Sequence, residues 1–172
     1  MDKFAIDRFI LGETNEEFLA SEIEHNQQAT LAMITQAQLH LDILSRDFDP
    51  DIYDNPTCCE AIEQLALRSR YSQIRILLHN PKKAAQRGHQ VIYLGQRLGS
   101  LIQFRQLAEI YQSIQETFLL ADGIGLIYRP YADSLSATIN FKDRPKVKEL
   151  LLLFDKLWQE SEPNPETQML IV

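Results

Sequence analysis

The sequence predicts an α/β fold, a mixed β-sheet flanked by helices on both faces. Three observations carry this expectation. Short aliphatic runs recur at 40–45, 73–78 and 101–105, segments with apolar residues at helical spacing separate or follow them, and the pair Asp122-Gly123 divides two further apolar runs as a hairpin turn does. With 172 residues and 45% hydrophobic content, the chain suits a single domain that buries one substantial core without metals or disulfides.

Taken in order, the first element is a helix over 16–36, with Thr14 or Asn15 as cap and an imperfect apolar face of Phe18, Leu19, Ile23, Leu31 and Ile34. A strand follows at 40–45. Cys58, Ile62, Leu65, Ala66 and Ser69 then fall at helical spacing after Asn55 or Thr57 as cap, and 73–78 is the second strand. Asn80 and Pro81 open a helix that runs to about Gly99, its stripe of Ala84, Gly88, Val91, Gly95 and Leu98 small enough for close packing on a sheet. Strands at 101–105 and 116–122 lead through the Asp122-Gly123 turn into 124–128, and 137–141 is the last strand. Val147, Leu150, Leu151, Phe154, Leu157 and Trp158 mark one face of a closing helix. The organisation expected is an N-terminal helical extension over 1–36, a core over 37–160 and a tail over 161–172, whose apolar Met169-Leu170-Ile171-Val172 is expected to dock on the body or on a partner.

The longest aliphatic-aromatic run, 150–154, is far short of a membrane span, and the first residues have no signal-peptide core. A cytoplasmic protein is the expectation. Cys58 and Cys59 are adjacent on a helix, which neither closes a stabilising loop nor forms a metal knuckle. His25, His40, His79 and His89 are scattered, so no metal and no cofactor are expected. Nor is there a Gly-rich phosphate loop or a nucleophile elbow.

Charge is unevenly divided. Residues 1–63 carry 3 basic against 14 acidic side chains, 64–108 carry 8 basic and no acidic ones, and 109–172 carry 6 against 10. The basic block, Arg68, Arg70, Arg75, Lys82, Lys83, Arg87, Arg97 and Arg105, either lines a surface for phosphate-bearing ligands or faces the acidic N-terminal segment, within one molecule or across a dimer. The second reading is preferred. A pI near 5.1 and few aromatics among these basic residues argue against a nucleic-acid groove.

The stretch Gln115-Glu116-Thr117-Phe118-Leu119-Leu120-Ala121-Asp122 resembles one strand of the phospholipase D family, whose motif reads His-x-Lys-x4-Asp. Aligned on Asp122, Gln115 stands in the histidine slot and Thr117 in the lysine slot. The family's Gly-Ser-x-Asn is also replaced, by Arg129-Pro130-Tyr131-Ala132, while Phe154 and Trp158 fit the closing Phe-x-x-x-Trp helix. The order of elements from Leu41 to Trp158 is similar to one phospholipase D-like half.

In that family the histidine attacks phosphorus and the lysine neutralises charge on the phosphoryl oxygens. Glutamine is not a usable nucleophile, and a threonine hydroxyl without an adjacent base is not activated. The resemblance therefore implies a noncatalytic binding or regulatory module with no catalytic residue, with Gln115, Thr117 and Asp122 as a degenerate site. Because such halves pair, it also implies a homodimer. Polar residues at strand ends supply a candidate pocket for a small anionic or phosphate-bearing ligand, namely Arg46, Asp47, His79, Arg129, Asn140 and Arg144. The alternative is a phosphodiesterase-type hydrolase with a remodelled active site that uses His79 or His89 with these arginines.

Overall fold

The computed structural model describes residues 6–163. They form an eight-stranded mixed sheet with helices on both faces. After a 3-10 turn at Ile6–Arg8 come β1 (Phe18–Ala20), α1 (Ile23–Gln36), β2 (His40–Ser45), α2 (Pro50–Tyr53), α3 (Pro56–Leu67) and β3 (Gln73–Leu78). Then follow α4 (Pro81–Gln86), α5 (Gln90–Arg97), β4 (Ile102–Gln106), a second 3-10 turn at Glu109–Tyr111, and β5 (Thr117–Ala121). The chain continues through β6 (Gly125–Arg129), β7 (Ala137–Asn140), α6 (Arg144–Gln159) and β8 (Glu162–Pro163). Across the sheet the order is β1-β7-β6-β5-β2-β3-β4-β8. β2, β3 and β4 are parallel, whereas β5, β6, β7 and β1 extend the other side of β2 as antiparallel neighbours.

Burial on both faces explains why the central strands read as mainly apolar runs, interrupted by Asp42 and Arg75, which pair with each other. Leu41, Ile43, Ile74, Ile76 and Leu119 pack in the cluster that also holds α1, α3 and α5 residues. Leu44, Leu77, Phe118 and Leu120 face the other way, onto Val147, Leu150, Phe154 and Trp158 of α6. The predicted stripe of α6 is the one it buries, and its first turn is capped by the Asp143 carboxylate, which accepts from Lys146 N at 3.2 Å. For α3, Asn55 is the cap: its side chain accepts from Cys58 N at 2.8 Å, with Pro56 in the first turn, where its missing N–H is not needed.

Two expectations are corrected. The predicted helix over 16–36 begins only at Ile23, because Phe18–Ala20 pairs antiparallel with β7 and completes that sheet edge. Nor is α1 an extension, since Ala29, Met33 and Ile34 are wholly buried in the main core. The predicted helix from Pro81 to Gly99 is two helices. Gly88 adopts φ +72°, which breaks the first, and the His89 side chain restarts the ladder by accepting from Val91 N at 3.2 Å. Further along the stripe, Gly95 is required by close approach: a Cβ there would lie 2.5 Å from the Phe104 ring.

The 169–172 segment, for which docking is expected, lies outside the described residues. Among the described residues no helix is long and apolar enough to cross a membrane.

Asp122 is the turn residue its sequence position suggests, and it does more than turn. At φ +53° it directs its carboxylate onto the chain entering β2, accepting from Gln38 N, Leu39 N and His40 N at 2.7, 2.9 and 2.8 Å. These three bonds tie the β5–β6 hairpin to the start of β2. Asp122→Ala is expected to lower unfolding free energy by about 2 kcal/mol in urea denaturation, since a hydrogen bond to a charged acceptor is worth about 1.5–3 kcal/mol net and these exposed amides regain water when the carboxylate is removed.

Candidate functional site

The strand directions sort the sequence-predicted site residues to two opposite ends of the sheet. Ser45 and His79 end β2 and β3, Gln115 and Thr117 lie at the start of antiparallel β5, and Arg129 ends β6. These residues share one end with Arg46 and Asp47. Asp122, Asn140 and Arg144 sit at the other end, because β5 and β7 finish there and α6 begins there. Thr117 and Asp122 are thus about 16 Å apart along the strand, and the degenerate triplet does not converge. Asn140 is engaged locally, its amide donating to Asn15 Oδ1 at 3.3 Å and its Oδ1 accepting from Lys142 N at 3.0 Å.

At the populated end the decisive pair is Arg129 with Asp49. Arg129 lies directly across from Thr117 in the β5–β6 ladder and is buried. Its Nε donates to Ser134 O at 3.0 Å, one Nη to Ala132 O at 2.7 Å, and the other meets Asp49 Oδ2 at 3.3 Å. Ser45 Oγ donates to the same Asp49 oxygen at 3.1 Å and accepts from Phe48 N at 3.1 Å. Burial raises the Asp49 carboxyl above the usual carboxylate range, opposed by Arg129 and by the Ser45 bond. Thr117 is buried as well, and its hydroxyl donates to Leu44 O at 2.6 Å. Gln115 is exposed, and its backbone carbonyl accepts from Ala132 N.

Outside this pair opens a cleft of about 520 Å³, lined by Ile23, Asp47, Asp49, Pro50, Asp51, Ile52, Arg87 and Leu135. Asp47 meets Arg87 at 3.2 Å and Lys83 at 3.4 Å, while Arg46 meets Asp133 at 2.7 Å. Each of these cations already has a carboxylate. The same holds for much of the basic block: Arg97 pairs with Glu63 at 3.0 Å, and Arg75 with Asp42 at 2.6 Å and Asp155 at 2.8 Å. Arg105 and Arg68 donate to the Trp158 and Ala37 carbonyls. Of the two readings left open for that block, pairing with acidic residues of the same chain is the one these contacts match.

The two histidines proposed for chemistry are both enclosed. His79 follows Leu77 on the α6 face of the sheet, away from Thr117 and Arg129, and its Nε2 bonds Ile114 O at 2.8 Å. His89 is 1% exposed, stacked on Phe48 with centroids 4.4 Å apart, its Nε2 donating to Phe48 O at 3.1 Å. Since Nδ1 accepts from Val91 N, the ring is neutral, and burial holds its pKa below the usual histidine value. Cys58 is buried and its thiol is pushed up to about 12, which makes it inert. Among the described residues no three His, Cys, Asp or Glu side chains converge as a metal would require.

Sequence reasoning missed Asp49, Ser45 and Asn26. Asp49 offered one faint signal, an aspartate directly before Pro50, which marks a helix start; its carboxylate instead reaches back to Ser45 and Arg129. Asn26 lay inside a helix and offered none.

Fold and strand-end site together define the class, an α/β domain of phospholipase D-like fold. Nuc from Salmonella typhimurium, a phospholipase D family member, superposes with TM-score 0.62 at 10% identity over 87% of this chain and 99% of its own. NucT from Helicobacter pylori gives 0.57 at 13%, over 87% and 98%. The archaeal chromatin protein TrmBL2, described as showing a novel mode of DNA binding, gives 0.64 at 16% over 86% of this chain, which spans only 54% of that one. At such identities the likeness is one of fold. In sequence, the chain belongs to the family described as Domain of unknown function (DUF7931), whose model matches residues 22–170. No curated protein matches it.

The neutral His89 makes stability depend on pH. Its folded pKa lies below the unfolded value of about 6.5, so the unfolded chain binds more protons, and stability falls as pH drops through that value. His89→Asn keeps a capping acceptor without titrating, and its denaturation midpoint should decline less between about pH 7.5 and 6 than that of the wild-type chain.

Proposed function

We propose that this chain is a noncatalytic module on a phospholipase D-like half, holding an anionic ligand in the strand-end cleft and working in the cytoplasm as a homodimer. The observation that carries the reading is the state of the two replaced motif positions. Gln115 is exposed without a nucleophilic atom, the Thr117 hydroxyl already donates to Leu44 O, and His89, on the same face of the sheet, is stacked on Phe48. A phosphoryl group at this end would meet neither an attacking nitrogen nor the cation of the family motif.

The remodelled hydrolase needs His79 or His89 to reach substrate. Both are at least nine-tenths buried, and both direct Nε2 at a backbone carbonyl. Pairing of two copies is carried over from the resemblance to a family whose halves pair. Nucleic acid is a second reading, favoured by the likeness to TrmBL2 and opposed by the acidic net charge and the internal pairing of the basic block.

The purified chain is expected to show no turnover of a chromogenic phosphodiester above buffer. Turnover abolished by His79→Ala or His89→Ala would establish the hydrolase instead. Sedimentation at micromolar concentration should give twice the monomer mass, and a monomer would remove the homodimer. Binding to duplex DNA at low salt, lost steeply as salt rises, would favour the second reading.

A further inference from the structure

The Asp49–Arg129 pair stands between two spaces. Asp49 and Ile52 line the outer cleft, and the same two residues line a cavity of about 10 Å³ behind it, together with Asn26, Thr117 and Arg129. The inner cavity carries an unusual donor. Asn26 is 2% exposed, its Oδ1 accepts from Thr30 Oγ1 at 3.2 Å, and its Nδ2 has no hydrogen-bond partner among the described residues. A buried amide N–H without an acceptor costs about 1–3 kcal/mol, so its presence beside a buried guanidinium calls for an acceptor in that space.

We propose that Arg129 and Asn26 form a binding site for an external carboxylate, and that Asp49 is an in-chain competitor that occupies it until a ligand carboxylate takes its place. The inference rests on the reading of the strand-end cleft as a ligand site and names both the ligand class and its regulation.

The class follows from what is already seated there. A planar carboxylate meets the guanidinium at 3.3 Å, and the space beyond it is about the size of one water molecule. A second planar carboxylate fits the volume that Asp49 leaves. A tetrahedral phosphate carries two more oxygens than the carboxylate it would replace, and the space beyond is that of a single water molecule. The ligand gains what Asp49 lacks, because a group entering from the 520 Å³ cleft can accept from Asn26 Nδ2 as well as from Arg129.

The chain beside Asp49 suits displacement. Phe48 sits at φ +62°, a conformation costly for a phenylalanine, and the helix that follows Asp49 has four residues. Asp49 is faced by Arg129 from β6, by Ser45 from β2 and by the Asp47 carboxylate of its own segment, and Arg87 of the segment joining α4 and α5 shares the outer cleft. Asp47 repels it, Tyr53 of α2 also faces it, and among the described residues the side chains of Arg129 and Ser45 hold its carboxylate in place.

The experiment titrates the full chain with sodium formate at ionic strength held constant with sodium chloride, following the Asn26 side-chain amide by NMR and the melting temperature. Asp49→Asn keeps the shape and removes the competing charge, and formate should saturate it at a concentration about tenfold lower than the wild-type chain needs, the equivalent of about 1.4 kcal/mol. Adding Asn26→Leu to that variant should reverse the gain, and inorganic phosphate should give no saturable change. Equal formate affinity in wild type and Asp49→Asn would overturn the competitor, and indifference to Asn26→Leu or tighter binding of phosphate would overturn the carboxylate site. If Asp49→Asn does not fold, the wild-type chain serves: as the pH is lowered, the Asp49 carboxyl, raised by burial, takes up its proton ahead of an ordinary carboxylate, so formate should bind more tightly, and an unchanged affinity overturns the proposal. None of these failures creates turnover, so the noncatalytic reading is judged separately by its own assay.

Discussion

Strand β2 is the constraint on which the rest of the molecule depends. It joins the parallel strands β3 and β4 on one side to the antiparallel strands β5, β6 and β7 on the other, and five of its six residues are buried. Its backbone therefore holds the β3–β4 half and the β5–β6–β7 half in one sheet, while Leu41 and Ile43 serve one core and Leu44 the other. The Asp122 carboxylate sets the register by gripping the three amides that lead into β2. Because β5 is antiparallel to β2, fixing that end also fixes where Thr117 meets Leu44 at the far end.

Electrostatics at the far end follow from burial. Arg129 is enclosed by the loop after β6, and a buried guanidinium without a counter-charge is costly, so the fold supplies Asp49. Burial raises the Asp49 carboxyl while Arg129 and the Ser45 bond oppose the rise. The same logic explains the balance of the chain as a whole. An acidic first third and a basic middle are brought together as Asp42 with Arg75, Asp47 with Arg87 and Glu63 with Arg97, so the charge division visible in the sequence closes largely upon itself.

Much of the fold was legible because local rules and tertiary burial agree there. The bounds of β2 and β3 match their mainly apolar runs, in which the one internal charge of each strand, Asp42 and Arg75, pairs with the other across the ladder. The failures lie where tertiary contacts override periodicity. Phe18 and Leu19 fit a helical face, yet the unpaired edge of β7 takes them as a strand. The Pro81–Gly99 stripe is helical throughout by spacing, but Gly88 and the His89 side chain divide it. Of the strand-end residues, Arg46, Asp47, His79 and Arg129 lie at one end of the sheet, His79 on the α6 face, whereas Asn140 and Arg144 lie at the other end, because strand direction is not written in spacing.

By itself the sequence determined the α/β class, the alternation of most strands and helices, the closing amphipathic helix and the presence of glutamine and threonine at 115 and 117. These are properties of neighbouring residues and of side-chain chemistry, which need no distant partner. Only the tertiary structure decided that Asp122 is a clamp remote from Thr117, that the Thr117 hydroxyl is bound by a carbonyl 73 residues away, and that Asp49 and Asn26 stand beside Arg129. Each of those outcomes depends on which strands pair and in which direction, a matter settled by burying two apolar faces at once.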